Sequence, residues 1–101
     1  MTLVRWTEEA FRDLEGIRDH IQRDSPVYAR MIATRLYESV DQLRMFPDSG
    51  SVVPERDDPT IRQLVRRPYR IIYSRLADAV EILTIFHSAQ LFPAELLTKS
   101  E

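Results

Sequence analysis

Tyr69-Arg70-Ile71-Ile72-Tyr73-Ser74-Arg75-Leu76 and Ala79-Val80-Glu81-Ile82-Leu83-Thr84-Ile85-Phe86-His87, joined only by Ala77-Asp78, decide the fold of this chain. Both runs are rich in β-branched and aromatic residues, which suit a pleated, half-buried surface, and the short polar link fits a hairpin. Strands are therefore expected over roughly 69–76 and 79–87. If Leu76 pairs with Ala79, Tyr73 faces Ile82, Ile71 faces Thr84 and Tyr69 faces Phe86, which makes both tyrosines core residues. Arg70 then shares the other face with Ile72, Leu83 and Ile85, and His87 is its diagonal neighbour at about 7–8 Å between backbones. A slip of one residue would reverse every facing.

Upstream of the hairpin, residues 61–66 read as a further strand. Residues 51–59, with Pro54, Pro59 and mixed charge, read as a loop, entered by the helix-stopping turn Pro47-Asp48-Ser49-Gly50. Before that, Ser25-Pro26 is a helix start, a capping side chain followed by proline at the first helical position. Tyr28, Ala29, Ile32, Ala33, Leu36, Val40, Leu43 and Phe46 continue it on one stripe. Thr7 caps an earlier helix with Glu8 and Glu9 in its first turn, and Phe11, Leu14, Ile17 and Ile21 recur at helical spacing until about Asp24. Gly16 costs that helix about 1 kcal/mol in propensity and leaves room for a close helix contact. A link of few residues makes the two helices an antiparallel hairpin. Residues 2–6 open the chain as a short strand, and Trp6, Tyr28 and Tyr37 are expected as core or half-buried ring contacts. The expected class is α+β: an N-terminal strand, a helical hairpin, then a three-stranded antiparallel sheet with the helices on one face.

The 101 residues make one domain, with residues 88–101 as a tail that forms a short helix around Pro93 or becomes ordered on a partner. There is no Cys, hence no disulfide and no thiolate metal site, and a reducing, cytoplasmic setting is the simplest reading. The longest apolar runs fall far short of the ~20 residues of a membrane span, and the N-terminus lacks the layout of a signal peptide. With only Gly16 and Gly50, the glycine-rich loops that cradle phosphates are absent. Neither cofactor nor metal is expected.

Charge is uneven along the chain. The net charge is −2, which argues against a protein that coats nucleic acid. Yet residues 61–76 carry Arg62, Arg66, Arg67, Arg70 and Arg75 with no acid among them. Guanidinium groups pair bidentately with carboxylates and phosphates, so this stretch is either a solvated strand face, a phosphate clamp, or a dock for an acidic protein segment. His87, at a strand end, reads as a packed residue or as a general acid or base. His20, among charges on the first helix, reads as solvated. Glu55 reads as a solvated loop acid, or as a base if its loop folds toward His87. Leu91, Phe92 and Leu97 either pack back on the sheet or form part of a docking groove.

The order of elements, with particular residues in it, resembles the RelE/ParE superfamily of bacterial type II toxins. The resembling residues are Val4-Arg5-Trp6-Thr7, Ala10, Asp13-Leu14, Ile17 and Ile21; then Ser25-Pro26, Ala29, Leu43, Phe46-Pro47, Gly50 and Pro54. Ile61-Arg62, Leu64, Tyr69-Arg70-Ile71-Ile72-Tyr73, Val80-Glu81-Ile82-Leu83 and His87 complete the set. No single piece is specific, but the ordered set spans nearly the whole chain.

The resemblance implies a growth-arresting toxin kept harmless by a cognate antitoxin, of the kind that also serves plasmid stabilisation. Arg62, Arg66, Arg67, Arg70, Arg75, Leu91 and Phe92 would be the antitoxin-binding surface. The superfamily divides by target. ParE-like members inhibit DNA gyrase without catalysis, and the 69–73 segment, the 80–83 strand and His87-Ser88-Ala89 are more similar to that side. RelE-like members cleave mRNA on the ribosome, and in that alternative Glu55, Arg70 and His87 are the catalytic candidates. There Glu55 or His87 would deprotonate the ribose hydroxyl and Arg70 would stabilise the phosphate. The acidic net charge, the lack of a Lys-rich loop, the lack of an aromatic after His87, and Gln90 where many members have Arg all depart from the nuclease pattern. A third reading is a non-toxic module that only binds a partner.

Overall fold

The computed structural model describes residues 1–97. A first strand, β1 (Leu3–Trp6), leads into helices α1 (Glu8–Gln22) and α2 (Pro26–Ser39) and a single turn, α3 (Gln42–Met45). Strands β2 (Ser51–Val52), β3 (Ile61–Arg66), β4 (Tyr69–Arg75) and β5 (Ala79–His87) follow, and a 3-10 turn at Ala94–Leu96 closes the described chain. The caps act as their residue types dictate. Thr7 Oγ1 accepts from the Ala10 N–H at 3.1 Å, and Ser25 Oγ accepts from the Tyr28 N–H at 3.2 Å, with Pro26 in the first turn.

The sheet has five strands in the order β1-β5-β4-β3-β2. The three long strands are antiparallel neighbours, as their hairpin links require, but two additions go beyond the expected three-stranded sheet. β1 joins the β5 edge in parallel, Leu3 beside Ala79 and Trp6 beside Ile82. This works because the helical hairpin is the crossover that parallel pairing needs. On the other edge, two residues of the expected 51–59 loop pair with β3.

The β4–β5 register also differs from a plain alternation. Leu76 N–H donates to Ala79 O at 2.8 Å and Tyr73 faces Ile82, as expected. Beyond that pair a β-bulge intervenes: Ile72 faces Thr84, Ile71 faces Ile85, Arg70 faces Phe86 and Tyr69 faces His87. One extra residue on β5 moves every later side chain by one position. Ile85 and His87 therefore turn toward the helices, and Phe86 joins Arg70 on the other face.

Helix α2 stops earlier than its apolar stripe. The turn at Val40 and Asp41 separates it from α3, and both Val40 and Leu43 are buried. Because Leu36, Val40 and Leu43 keep helical spacing through the break, the pattern alone reads as one helix. Gly16 makes no close contact, since a Cβ there would meet nothing within 4 Å.

Two apolar clusters lie on the two faces of the sheet. The helix-side core holds Val4, Ala10, Leu14, Ile32, Leu36, Val40, Leu43, Leu64, Ile71, Tyr73, Val80, Ile82 and Ile85. The opposite face holds a smaller one, Val53, Ile61, Ile72 and Phe86, against which Leu83, Phe92 and Leu96 pack. The tail thus covers the face that the helices leave open; Leu91 and Leu97 remain exposed. Trp6 stacks on Tyr37 at 5.4 Å between ring centroids and tilts against Phe11, while Tyr28 is half exposed. No helix among the described residues is long and apolar enough to cross a membrane.

Candidate functional site

Glu55 and Arg70 meet on the sheet face away from the helices. The loop after β2 folds Glu55 over the start of β4, and Arg70 donates from Nη1 and Nη2 to its two carboxylate oxygens at 2.7 and 2.8 Å. Arg70 Nε donates to Gln63 Oε1 at 2.8 Å from the neighbouring strand. The guanidinium carbon lies 5.2 Å from the Phe86 ring centroid and 5.5 Å from that of Phe92. Cation–π attraction and a bidentate ion pair together fix this side chain, which is 13% exposed. The Arg70 hydrogen bonds hold the Glu55 carboxyl below the usual carboxylate range, although its partial burial pushes the other way.

His87 lies elsewhere. The bulge turns it toward the helices, where its ring meets Tyr69 edge-on at 5.7 Å. It shares a cleft of about 480 Å³ with Arg12, Asp13, Gly16, Ile17, His20, Tyr69 and Gln90. Its Nδ1 accepts from the Ala89 N–H at 3.0 Å, so Nε2 carries the ring proton, and its own N–H donates to Gln90 Oε1 at 2.9 Å. His20, expected to be merely solvated, lines the same cleft. Burial of Tyr69 raises its phenol above the ordinary value, which keeps the hydroxyl protonated at neutral pH. Of the three residues that would serve a nuclease, the structure brings two together and sets the third on the opposite face.

The Arg-rich stretch is dispersed as well. Arg62 Nη1 donates to Gly50 O at 2.7 Å and Arg75 Nε to Asp48 Oδ1 at 3.0 Å, so both hold the turn after α3. Arg66 donates to Gln42 Oε1 at 2.6 Å, beside the helices. Arg67 is exposed at the β3–β4 turn, next to the cis peptide of Pro68. Among the described residues, no group of three or more His, Asp or Glu is gathered to hold a metal ion.

The sequence model of the ParE toxin of the type II toxin–antitoxin system parDE matches residues 4–92. The chain belongs to the ParE toxin family. It is 40% identical over 95 residues to the putative toxin Y4kP of Sinorhizobium fredii, covering 92% of this chain and 95% of that one. It is 38% identical over 92 residues to the toxin RelE2 of Caulobacter vibrioides, covering 90% of this chain and all of the relative. Among solved structures, the chromosomal ParDE toxin–antitoxin system from P. aeruginosa matches with a TM-score of 0.72 and 27% identity, over 86% of this chain and 96% of that chain. A chain of the RelBE2 toxin–antitoxin complex from Mycobacterium tuberculosis shares the fold, with a TM-score of 0.52 and 20% identity over 85% and 96%. The protein is a type II toxin of the ParE/RelE superfamily.

Two features that position the site in this ParE-family chain escape a reading by residue type. Asp13 Oδ2 accepts from Thr84 Oγ1 at 2.5 Å and from the Ile85 N–H at 3.2 Å. It closes the part of the β5 edge that β1 is too short to cover, next to the bulge that aims His87. Asp13 in turn raises the Glu9 carboxyl through a side-chain hydrogen bond. The second is Tyr73, fully buried, whose hydroxyl donates to Pro47 O at 2.8 Å and accepts from the Gly50 N–H at 3.0 Å. An acid at an inward helical position, in the stripe of Ala10, Leu14 and Ile17, is the one sequence signal that Asp13 offers.

Proposed function

We propose that this chain arrests growth by binding and inhibiting DNA gyrase, performs no chemistry of its own, and is held inactive by a cognate antitoxin in the cytoplasm. The observation that carries this reading is the separation of Arg70 and His87. General acid–base cleavage of RNA needs a base and a phosphate-stabilising cation within hydrogen-bond reach of one substrate. Here Arg70 is held by Glu55 and Gln63 on one face, and His87 opens into a cleft on the other. The match to the ParE family and the likeness to a ParDE structure support the same target. Antitoxin contact is proposed at the residues singled out by the sequence. Arg67 and Leu91 are its direct part, because both stand outward, whereas Arg62, Arg66, Arg70 and Arg75 act from positions fixed by bonds within the toxin.

The test is a supercoiling assay with antitoxin-free protein across a concentration series. Loss of supercoiling with accumulation of cleaved DNA supports the proposal. Unimpaired gyrase overturns it for the enzyme tested, and mRNA cleavage on the ribosome is then the reading to measure, since one relative carries the name RelE2. A chain that accumulates without its antitoxin and arrests nothing is the non-toxic binding module.

A further inference from the structure

Both histidines of this chain line one cleft of about 480 Å³, His20 from α1 and His87 from the end of β5. Arg12, Gly16 and His20 are spaced four apart, so they stand one above another along α1 on the side of that cleft. Gly16 leaves a gap between the two basic side chains. Glycine is the poorest helix former after proline, yet a Cβ at position 16 would meet nothing within 4 Å, so no packing neighbour demands it. The space that a side chain there would take is the cleft itself. The turn after β5 sets the polarity of the opposite wall. His87 Nδ1 accepts from the Ala89 N–H at 3.0 Å, and Gln90 Oε1 accepts from the His87 N–H at 2.9 Å. With those acceptors engaged, His87 offers its Nε2–H and Gln90 its amide N–H pair, and both are donors. Asp13, the one acid in the lining, turns Oδ2 to Thr84 Oγ1 and the Ile85 N–H.

We propose that this cleft binds a small aromatic oxyanion, a planar apolar body that carries one carboxylate or phosphate group. Its volume is that of a small-molecule site, and its lining is the usual mixture of apolar wall and few polar groups. Ile17, Ile85 and the Tyr69 ring supply the wall, and Tyr69 is held edge-on against His87 at 5.7 Å. An oxyanion answers the polar side, because donors converge there from two elements: the guanidinium of Arg12 on α1, and the His87 and Gln90 N–H groups on the turn. Arg12 is available to it, since its ion pair with Glu8 one turn earlier joins two exposed side chains and contributes little. A metal ion fits poorly, because the described residues gather no group of three ligands and the locked groups of the turn are donors. The site lies on the sheet face away from the Arg70–Glu55 pair and makes no demand on the target of the toxin, so it goes beyond the proposed function and does not depend on it.

The test is a proton NMR titration of the full chain in phosphate-free buffer. The chain has two histidines and both line the cleft, so both imidazole Cε1–H signals report on it. The pH is held constant, because protonation moves the same signals. Benzoate and phenyl phosphate are the probes, and the tighter of the two assigns the anionic group. At least one is expected to shift both signals saturably, with a Kd of about 1 mM or below. Benzyl alcohol, which lacks the charge, and inorganic phosphate, which lacks the ring, are each expected to bind at least roughly tenfold more weakly. Gly16→Leu fills the gap on α1 and is expected to abolish the shifts while the melting temperature holds or rises. Gln90→Glu keeps an acceptor for the His87 N–H but sets a carboxylate where the amide donors stood, and is expected to weaken binding by roughly tenfold or more without loss of fold. Histidine signals unmoved by both probes overturn the proposal. So does a folded Gly16→Leu or Gln90→Glu variant that binds as the parent does, or equal binding of benzyl alcohol or of inorganic phosphate. The supercoiling assay contains neither probe, so this inference and the proposed function fail separately.

Discussion

Arg70 and His87 stand on opposite faces of one sheet, although Arg70 pairs with Phe86 and Tyr69 with His87 at adjacent positions of the β4–β5 ladder. Neighbouring residues of a strand point to opposite sides, so a single extra residue upstream decides which of them share a face. The bulge supplies that residue. It gives Phe86 to Arg70 as a ring partner and sends His87 to the helix side, into a cleft with His20 and Arg12.

His87→Ala therefore separates the two candidate activities. The residue is exposed and its ring contributes one edge-on contact with Tyr69, so the fold is expected to persist. Inhibition of gyrase supercoiling is expected to stay within about twofold of the parent, the scale of a surface substitution. Abolished toxicity with retained folding and antitoxin binding would instead make His87 a reacting group and sink the gyrase proposal.

Tyr73→Phe tests the turn after α3. The hydroxyl is the buried link between Pro47 O and the Gly50 N–H, and the phenylalanine ring fills nearly the same space without it. Two backbone groups lose their partner, at a cost of about 1–3 kcal/mol. For a domain of this size each kcal/mol lowers the melting temperature by roughly 4–8 °C. A melting temperature unchanged in Tyr73→Phe would show that water satisfies both groups as well as the phenol does.

Gly50→Ala attacks the same junction from the other side. A Cβ at Gly50 would stand 2.5 Å from Gln63 O and 2.7 Å from Tyr73 Cε1, so either the turn or β3 has to move. Overpacking of this kind costs about 1–3 kcal/mol, and the loss should appear in the denaturant midpoint with little change in slope. An alanine variant as stable as the parent would mean that the turn relaxes freely.

The elements of the fold were legible because each carries a local cause. Thr7 and Ser25-Pro26 cap helices wherever the following residues are amphipathic, and the runs 61–66, 69–75 and 79–87 are strands at nearly the expected bounds. What escaped was non-local. Ile82-Leu83-Thr84-Ile85-Phe86 is apolar on both sides of the bulge, because both faces of β5 are covered, so the extra residue leaves no break in an alternation that is not there. The parallel docking of β1 is fixed by the β5 edge it finds, and Ser51–Val52 form a strand only because Gln63 and Arg62 lie opposite. At the site, Glu55 and Arg70 were visible as residues, but their bidentate pairing depends on the path of the eight-residue loop between β2 and β3. The Arg-rich stretch was read as one charged face. Arg62, Arg66 and Arg75 share the helix-side face with Leu64 and Tyr73, Arg70 lies on the other face, Arg67 sits in the turn between the strands, and the turn at Asp48 claims two of them.

Asp13→Ala is expected to destabilise the bulge region more than its exposed helix neighbours would. The substitution strips a partner from Thr84 Oγ1 and from the Ile85 N–H, and Thr84 is otherwise buried. The expected loss is about 1–3 kcal/mol, and hydrogen exchange at the Ile85 amide should accelerate beyond what that global loss predicts. Asp13→Asn keeps one acceptor oxygen and should recover part of it. Equal stability of the alanine variant and the parent would assign the β5 edge to water.

Glu55→Gln gives the pH dependence of the Arg70 pair. Hydrogen bonding from Arg70 is the largest cause of the depressed Glu55 carboxyl, with burial opposing it. A carboxyl lowered on folding binds its proton more readily in the unfolded chain. Its contribution is therefore present above the unfolded value of about 4.3 and is lost as pH falls through the lower folded value. The Glu55 side chain is 33% exposed, so water screens the pair and the contribution at pH 7 should be under about 1 kcal/mol. The difference in unfolding free energy between the parent and Glu55→Gln should be largest at neutral pH and close as the solution is acidified below the unfolded value. Arg70 keeps its place against Phe86 and Phe92 in the variant, so the tail should stay docked, which near-ultraviolet circular dichroism reports. A stability gap that persists unchanged in acid would mean that the Glu55 contribution is packing of its methylenes, and that charge plays no part in it.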